Sequence, residues 1–327
     1  WHVPHQYELY KTGHQFDLMT GAGTGICDQW DWKQRPMPAN CRMVRYDEID
    51  PREYDAKILH FDENLLHPEL CNGMVPSDWG ATMLWLLRNA DLPCVAICHG
   101  TPQFAGQYDR AYAGVDLGRI IESSRRELIE LFSPVTVVCN SHQSRDEWGF
   151  ANATTIWHGF APCDFPPGVH DREVLTMKPD ALTNRPHYNG LFAYEKIVEQ
   201  TQGIVDISCL RTPDPQGYPA DTAAWACAKY QNYVREVGRY KAYLNTTLRS
   251  PMPRSRGEAM MAGLVSVSMR NHDVDLFIKN GANGFYGDSP AELAEQLVWL
   301  ATHPAQAEAM RRASRLTAMQ VFNQDRY

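Results

Sequence analysis

The chain has 327 residues, more than one hydrophobic core usually holds and about right for two domains. Its 44% hydrophobic and 21% charged content is that of an ordinary folded protein, and no apolar run approaches the ~20 residues of a membrane span, which removes the disordered and membrane-spanning classes. The formal net charge of -8 argues against a general nucleic-acid surface, although basic residues gather at Arg235, Arg239 and Lys241 and again at Arg249, Arg254 and Arg256.

Residues 1–14 read as a helix, with Pro4 in its first turn and Gly13 as its stop. Residues 15–20 read as a short strand. The glycine cluster at 21–25 lacks the lysine of a Walker motif and reads as a flexible loop. Residues 28–56 are polar, with Trp30, Trp32, Arg35, Pro36 and Pro38, and read as an insertion laid on the surface. Residues 56–61 form a strand with Asp62 and Glu63 at its end, and 79–88 have helical spacing. The near-continuous apolar run 93–98 is the pattern of a parallel strand buried on both faces, and it ends in His99-Gly100-Thr101-Pro102. A helix over 117–132 and a strand over 134–139 follow, the strand ending in Asn140-Ser141. Pro162, Pro166, Pro167 and Gly168 mark a stiff linker, which sets domains at 1–165 and 166–327.

Nine cysteines, an odd number without a C-x-x-C, predict reduced thiols, a cytoplasmic location and no zinc finger or ribbon; Cys94 and Cys98 belong to a core. The chain opens at Trp1 without a methionine and shows no secretory signal, so the true start is expected to lie outside it and the cytoplasmic location is an expectation made with that gap.

The second half repeats the alternation. Strands are expected at 172–177 and 204–210, with Lys178 and Arg185 in the stretch after the first and Arg211 at the end of the second. A helix over 230–239 leads to a strand at 241–245 and then to Ser250-Pro251-Met252-Pro253-Arg254-Ser255-Arg256-Gly257-Glu258. The prolines exclude a regular helix before Ser255, which reads as an N-cap with Glu258 as its capping-box partner. Residues 259–262 continue the helix, Gly263 stops it, and 265–268 form a buried strand. Arg254 and Arg256 beside a helix N-terminus make an anion site; the plainer alternative is a capped helix with two solvated arginines. Amphipathic helices over 291–300 and 305–319 close the chain. Short apolar strands alternating with helices predict an α/β fold with parallel sheets.

The run Arg256-Gly257-Glu258-Ala259-Met260-Met261-Ala262-Gly263, followed by a strand and by Asn280-Gly281-Ala282-Asn283-Gly284-Phe285, resembles the donor half of GT-B glycosyltransferases, chiefly family four and its divergent relatives. In that pattern a second glutamate stands eight positions before the first, where this chain has Ser250. The resemblance implies an α/β GT-B fold, two Rossmann-like domains facing across a cleft. The first would bind the acceptor and the second the nucleotide sugar, and the last helix would pack back across the junction. It implies glycosyl transfer to a glycan, lipid-linked or other hydroxyl acceptor, with retention and without metal. No cofactor is implied beyond a nucleotide sugar, UDP- or GDP-linked, as co-substrate.

The implied roles follow the motif. Glu258 takes the ribose hydroxyls, as a carboxylate can. Arg254, Arg256 and Ser255 approach the diphosphate, with Ser250, Lys178, Arg185 and Arg211 as further donor contacts. Lys178 and Arg185 do not stand in the G-R-x-x-x-K-G order of the family. His99 reaches the transferred sugar. His2 and His5 lie in the loop after a truncated first strand and, with Asp62 and Glu63, face the acceptor. Three rival readings share the fold: transfer to a modified base in DNA, a sugar-nucleotide epimerase or phosphorylase, and a non-catalytic nucleotide-sugar or glycan-binding module.

Overall fold

The computed structural model describes residues 3–22, 29–63, 65, 77–102, 117–184 and 186–326. The chain divides into two compact units, Trp1–Ile156 and Trp157–Tyr327.

The first unit contains α1 (Val3–Tyr10), β1 (Phe16–Thr20), β2 (Cys41–Arg45), β3 (Lys57–Phe61), α2 (Ser77–Asn89), β4 (Cys94–Cys98), α3 (Leu117–Leu131), β5 (Thr136–Cys139), α4 (His142–Trp148) and β6 (Ala153–Thr155). Strands β3-β4-β5-β6 form a parallel sheet in that order. The register sets Phe61 beside Cys98 and Cys98 beside Cys139. Alternate residues of β3, β4 and β5, namely Leu59, Phe61, Ala96, Cys98, Val137 and Cys139, enter one core with Phe132 just after α3 and Trp148 from α4. Burial pushes the Cys98 thiol well above its ordinary range, so this cysteine acts as a small apolar side chain.

The segment expected as a surface insertion supplies a strand instead. β2 pairs in parallel with β1 from Phe16↔Cys41 to Thr20↔Arg45. Trp30 causes the difference: only 3% exposed, it packs with Tyr10, Leu18 and Cys41, and its indole N–H donates to the Arg35 carbonyl at 2.7 Å.

The second unit contains β7 (Arg172–Thr176), α5 (Pro179–Asn184), α6 (Pro186–Asn189), α7 (Leu191–Thr201), β8 (Ile207–Cys209), α8 (Ala223–Val237), β9 (Tyr240–Asn245), α9 (Arg254–Met261), β10 (Val265–Met269), α10 (Val274–Phe277), β11 (Gly284–Gly287), α11 (Pro290–Thr302) and α12 (Pro304–Val321). All five strands are parallel in the order β11-β10-β9-β7-β8. The chain thus runs from β7 outward to β8 and returns to the other side of β7 as β9. Such a reversal opens a crevice at the carboxyl ends of the two strands, where open α/β sheets bind ligands. β10 is buried along its whole length, and Val265 and Val267 join Leu244, Leu293 and Leu297 in the core.

The segment expected as a linker falls within the second compact unit and is partly packed. Phe160 and Phe165 are buried, contact each other edge to face, and Phe160 also meets Phe322. The Phe160 N–H donates to the Phe322 carbonyl at 2.8 Å. The two compact units divide before this segment, between Ile156 and Trp157. Among the described residues no helix is long and apolar enough to cross a membrane.

Candidate functional site

In the second unit three pieces of backbone lie by the carboxyl ends of β7 and β9. One is the loop after β9. Another is α9, which that loop enters. The third is the N-terminus of α7. Gly190 caps α7 in the left-handed region at φ 71, and among the described residues no side-chain hydrogen bond caps the helix. A Cβ at Gly190 would lie 2.1 Å from the Thr246 carbonyl oxygen, so only glycine allows this approach. Two hydrogen bonds hold the segments together: Thr246 Oγ1 donates to the Asn189 carbonyl at 2.7 Å, and the Leu248 N–H donates to the Tyr188 carbonyl at 3.0 Å. An uncapped helix N-terminus beside the switch point offers open N–H groups and a partial positive charge to an anion. The sequence carried one signal for it, a glycine ahead of an apolar helix. Its closeness to Thr246 depends on strand order.

α9 starts at Arg254, with Pro253 at the cap position and no capping side chain. Ser255 is therefore not the N-cap, and Glu258 is not a capping-box partner. Pro253 already supplies the extended entry, so the helix begins two residues early. Ser255 instead accepts from the Tyr243 hydroxyl at 2.6 Å. Glu258, 3% exposed, is held by two donors: Arg254 Nη2 at 3.2 Å and the Tyr233 hydroxyl. Arg254 also lies over the Phe160 ring at 4.9 Å.

Arg256 is not a solvated arginine. It is fully buried, stacked on Phe277 at 5.1 Å, with Nη2 against Met252 Sδ at 3.4 Å. Its Nε and Nη1 have no hydrogen-bond partner among the described residues. Burial lowers its pKa to about 10, while Tyr243 and Asp273 oppose that shift. The same burial raises the Tyr243 phenol to about 12. His272, after β10, is held neutral: burial lowers its pKa to about 4, with Asp273 opposing and Arg256 assisting.

Ser250 is half-buried in the loop after β9, and Lys178 and Arg211 are exposed just past β7 and β8. Arg185 and His2 lie outside the described residues. Asn280 and Asn283 shape their own loop. Asn280 bonds the Tyr286 backbone at both N–H (2.7 Å) and carbonyl (3.0 Å). Asn283 accepts from the Lys279 N–H at 2.6 Å and donates to the Phe277 carbonyl at 2.8 Å.

In the first unit His99 follows β4, as read. Its turn is rigid. The His99 N–H donates to the Phe61 carbonyl at 2.8 Å, and the Gly100 carbonyl accepts from Ser144 Oγ at 2.9 Å and Trp148 Nε1 at 3.1 Å. Asp62 and Glu63 follow β3 as expected, and Glu63 packs so closely on Gly100 that a Cβ there would lie 1.6 Å from Oε2. His5 is not in a loop. It sits in the first turn of α1, 1% exposed. Its ring meets His99 edge on at 4.6 Å and His60 at 5.4 Å. His60 and His99 stack, with His60 Nδ1 2.9 Å from His99 Nε2. Three histidines separated by tens of residues thus meet at one sheet end. From the sequence His60 reads only as part of a strand, because nothing in its local spacing marks it.

Two α/β units with parallel sheets of this kind define the GT-B fold. No family model and no curated protein matches the chain. Among solved structures it is similar to a sucrose-phosphate synthase from Thermosynechococcus elongatus, with TM-score 0.65 and 14% identity over 98% of this chain and 88% of that one. It is also similar to Anabaena HepE in complex with UDP, with TM-score 0.57 and 12% identity over 95% and 96% of the two chains. A glycosyltransferase from Rickettsia africae gives 0.53 and 11% over 96% and 95%.

Proposed function

We propose that the chain is a glycosyltransferase, a divergent relative of family four, that moves a sugar from a UDP-sugar to an acceptor hydroxyl with retention and without a metal at the diphosphate. The observation that carries this is the strand reversal at β7 and β9, where the glycine-capped start of α7 is held against the loop after β9 and that loop leads into α9 with its paired Glu258. Likeness to a UDP complex along nearly the whole chain supports a uridine donor, with GDP-sugars as the alternative.

The physical task is to bind a diphosphate leaving group and stabilise the charge that grows on it. Without Mg²⁺, helix N-termini and cationic side chains take that charge. The α7 N-terminus and Arg254 are the groups for this, and buried Arg256 adds positive potential from behind. Glu258 takes the ribose hydroxyls, trading its Tyr233 and Arg254 bonds in part for the ligand. Ser250, Lys178 and Arg211 are peripheral donor contacts. The first unit takes the acceptor, with Asp62 and Glu63 at its sheet end; a glycan or lipid-linked hydroxyl suits an acidic protein better than DNA.

The test is thermal shift against a panel of nucleotides and nucleotide sugars in EDTA and then with Mg²⁺. A ligand at 100 times its Kd adds about 2.7 kcal/mol of stability. A shift with one nucleotide sugar in EDTA is expected, and Glu258→Ala should reduce its affinity by about 1–3 kcal/mol. No shift with any member of the panel would leave α9 a plain helix and end the donor-site reading.

A further inference from the structure

The geometry points to a divalent-cation site formed by His5, His60 and His99 in the first unit. It goes beyond the donor site and does not depend on it.

The three rings come from different elements: α1, β3 and the turn after β4. One ring nitrogen from each lies within 4.8 Å of the others. A proton bridges two nitrogens; three imidazole nitrogens converging on one point are the donor set of a metal ion. A tetrahedral zinc ion with Zn–N bonds of about 2.0–2.1 Å holds its nitrogens about 3.3 Å apart. The 2.9 Å between His60 Nδ1 and His99 Nε2 and the 4.8 Å limit bracket that spacing.

Asn140 supplies a separate observation. It follows β5 and is 3% exposed. Its Nδ2 is set 3.5 Å from His99 Nδ1, and its buried Oδ1 has no hydrogen-bond partner among the described residues. The two ends of an amide are exchanged by a half-turn. Turned, Oδ1 accepts from a protonated His99 Nδ1, which satisfies the orphaned oxygen. That tautomer presents the Nε2 lone pair to the shared point. A metal-binding histidine is commonly oriented this way, its outer N–H donated to a carbonyl or carboxylate.

The site is also preorganised. His99 is pinned by the Phe61 carbonyl on one side and by the doubly bonded Gly100 carbonyl on the other. His60 is fixed within the sheet and His5 is buried. Three neutral imidazoles suit zinc and its neighbours rather than Mg²⁺ or Ca²⁺, and a three-ligand set leaves a fourth position for an oxygen ligand.

The full chain, stripped of metal, is titrated with Zn²⁺, and its Co²⁺ form is read by visible absorption. One Zn²⁺ per chain and a tetrahedral Co²⁺ spectrum are expected. His60→Gln and His99→Gln should each weaken Zn²⁺ at least tenfold and abolish the spectrum, while exposed His142→Gln leaves both intact. Asn140→Ala, which touches no metal, should weaken Zn²⁺ by about 10–100-fold. Melting of the metal-free variants at the wild-type temperature identifies a binding defect rather than unfolding. Absence of stoichiometric Zn²⁺ in the wild type, or equal affinity in the His60 and His99 variants, overturns the site. Nucleotide-sugar shifts measured in EDTA separate this result from the donor-site reading, since either can fail alone.

Discussion

Arg256 carries a charge into a place lined by a thioether and an aromatic face. Two of its donor nitrogens are unpartnered there among the described residues, and each such group costs about 1–3 kcal/mol. Arg256→Met should therefore raise stability by about 1–3 kcal/mol in urea unfolding while lowering UDP affinity. If the variant is no more stable, the guanidinium is satisfied in solution. His272 makes a pH prediction. Its folded pKa, about 4, lies below the ordinary 6.5, so the unfolded chain takes up the proton first as the solution is acidified. Its contribution is intact above pH 6.5 and is lost as pH falls towards 4. Stability should drop by about 2 kcal/mol from near pH 7 to near pH 5. His272→Asn, which tolerates the positive φ of 43 and does not titrate, should flatten that slope. An unchanged slope would assign the acid sensitivity elsewhere. These burials were hidden in the chain order: R-S-R before an acidic residue looks like a solvated helix start, and the aromatic floor under Arg256 comes from Phe277, on α10 beyond the next strand.

α7 and α9 are each set by one glycine. Gly190→Ala places a side chain in the left-handed region and against the Thr246 carbonyl. It should cost at least about 1–2 kcal/mol and shift α7 away from the loop after β9, with loss of UDP-dependent stabilisation. A stable variant with full nucleotide affinity would remove the α7 N-terminus from the site. Gly257 brings α9 onto Phe160, since a Cβ would sit 2.5 Å from the ring. Gly257→Ala should lower the melting temperature, although alanine is the better helix former. Both glycines were legible as glycines, and Gly257 fell within a recognised motif. Their partners, Thr246 and Phe160, were not legible, because contacts 56 and 97 residues away in the chain leave no local pattern.

Each of the two units has its own core. The second holds the β9 loop, α7 and α9 together with the aromatic cluster of Phe160, Phe165, Phe277 and Phe322. A fragment spanning 157–327 should therefore unfold cooperatively and keep its UDP-dependent stabilisation, read by calorimetry. A fragment starting at 166 loses Phe160 and Phe165 and should be markedly less stable. Equal stability of the two fragments would return the segment to the role of a linker.

By itself the sequence determined the α/β class, most strands and helices, the helix that carries Glu258 and the turn that carries His99. These are local: apolar runs, proline and glycine punctuation and one motif state them within a few residues. The tertiary structure alone decided three things. It made residues 41–45 a strand, by burying Trp30. It placed the α7 N-terminus against the β9 loop, through the strand order β8-β7-β9. It gathered His5, His60 and His99 at one sheet end. Each of these depends on which strands become neighbours, a property of the packed sheets that no single stretch of the chain encodes.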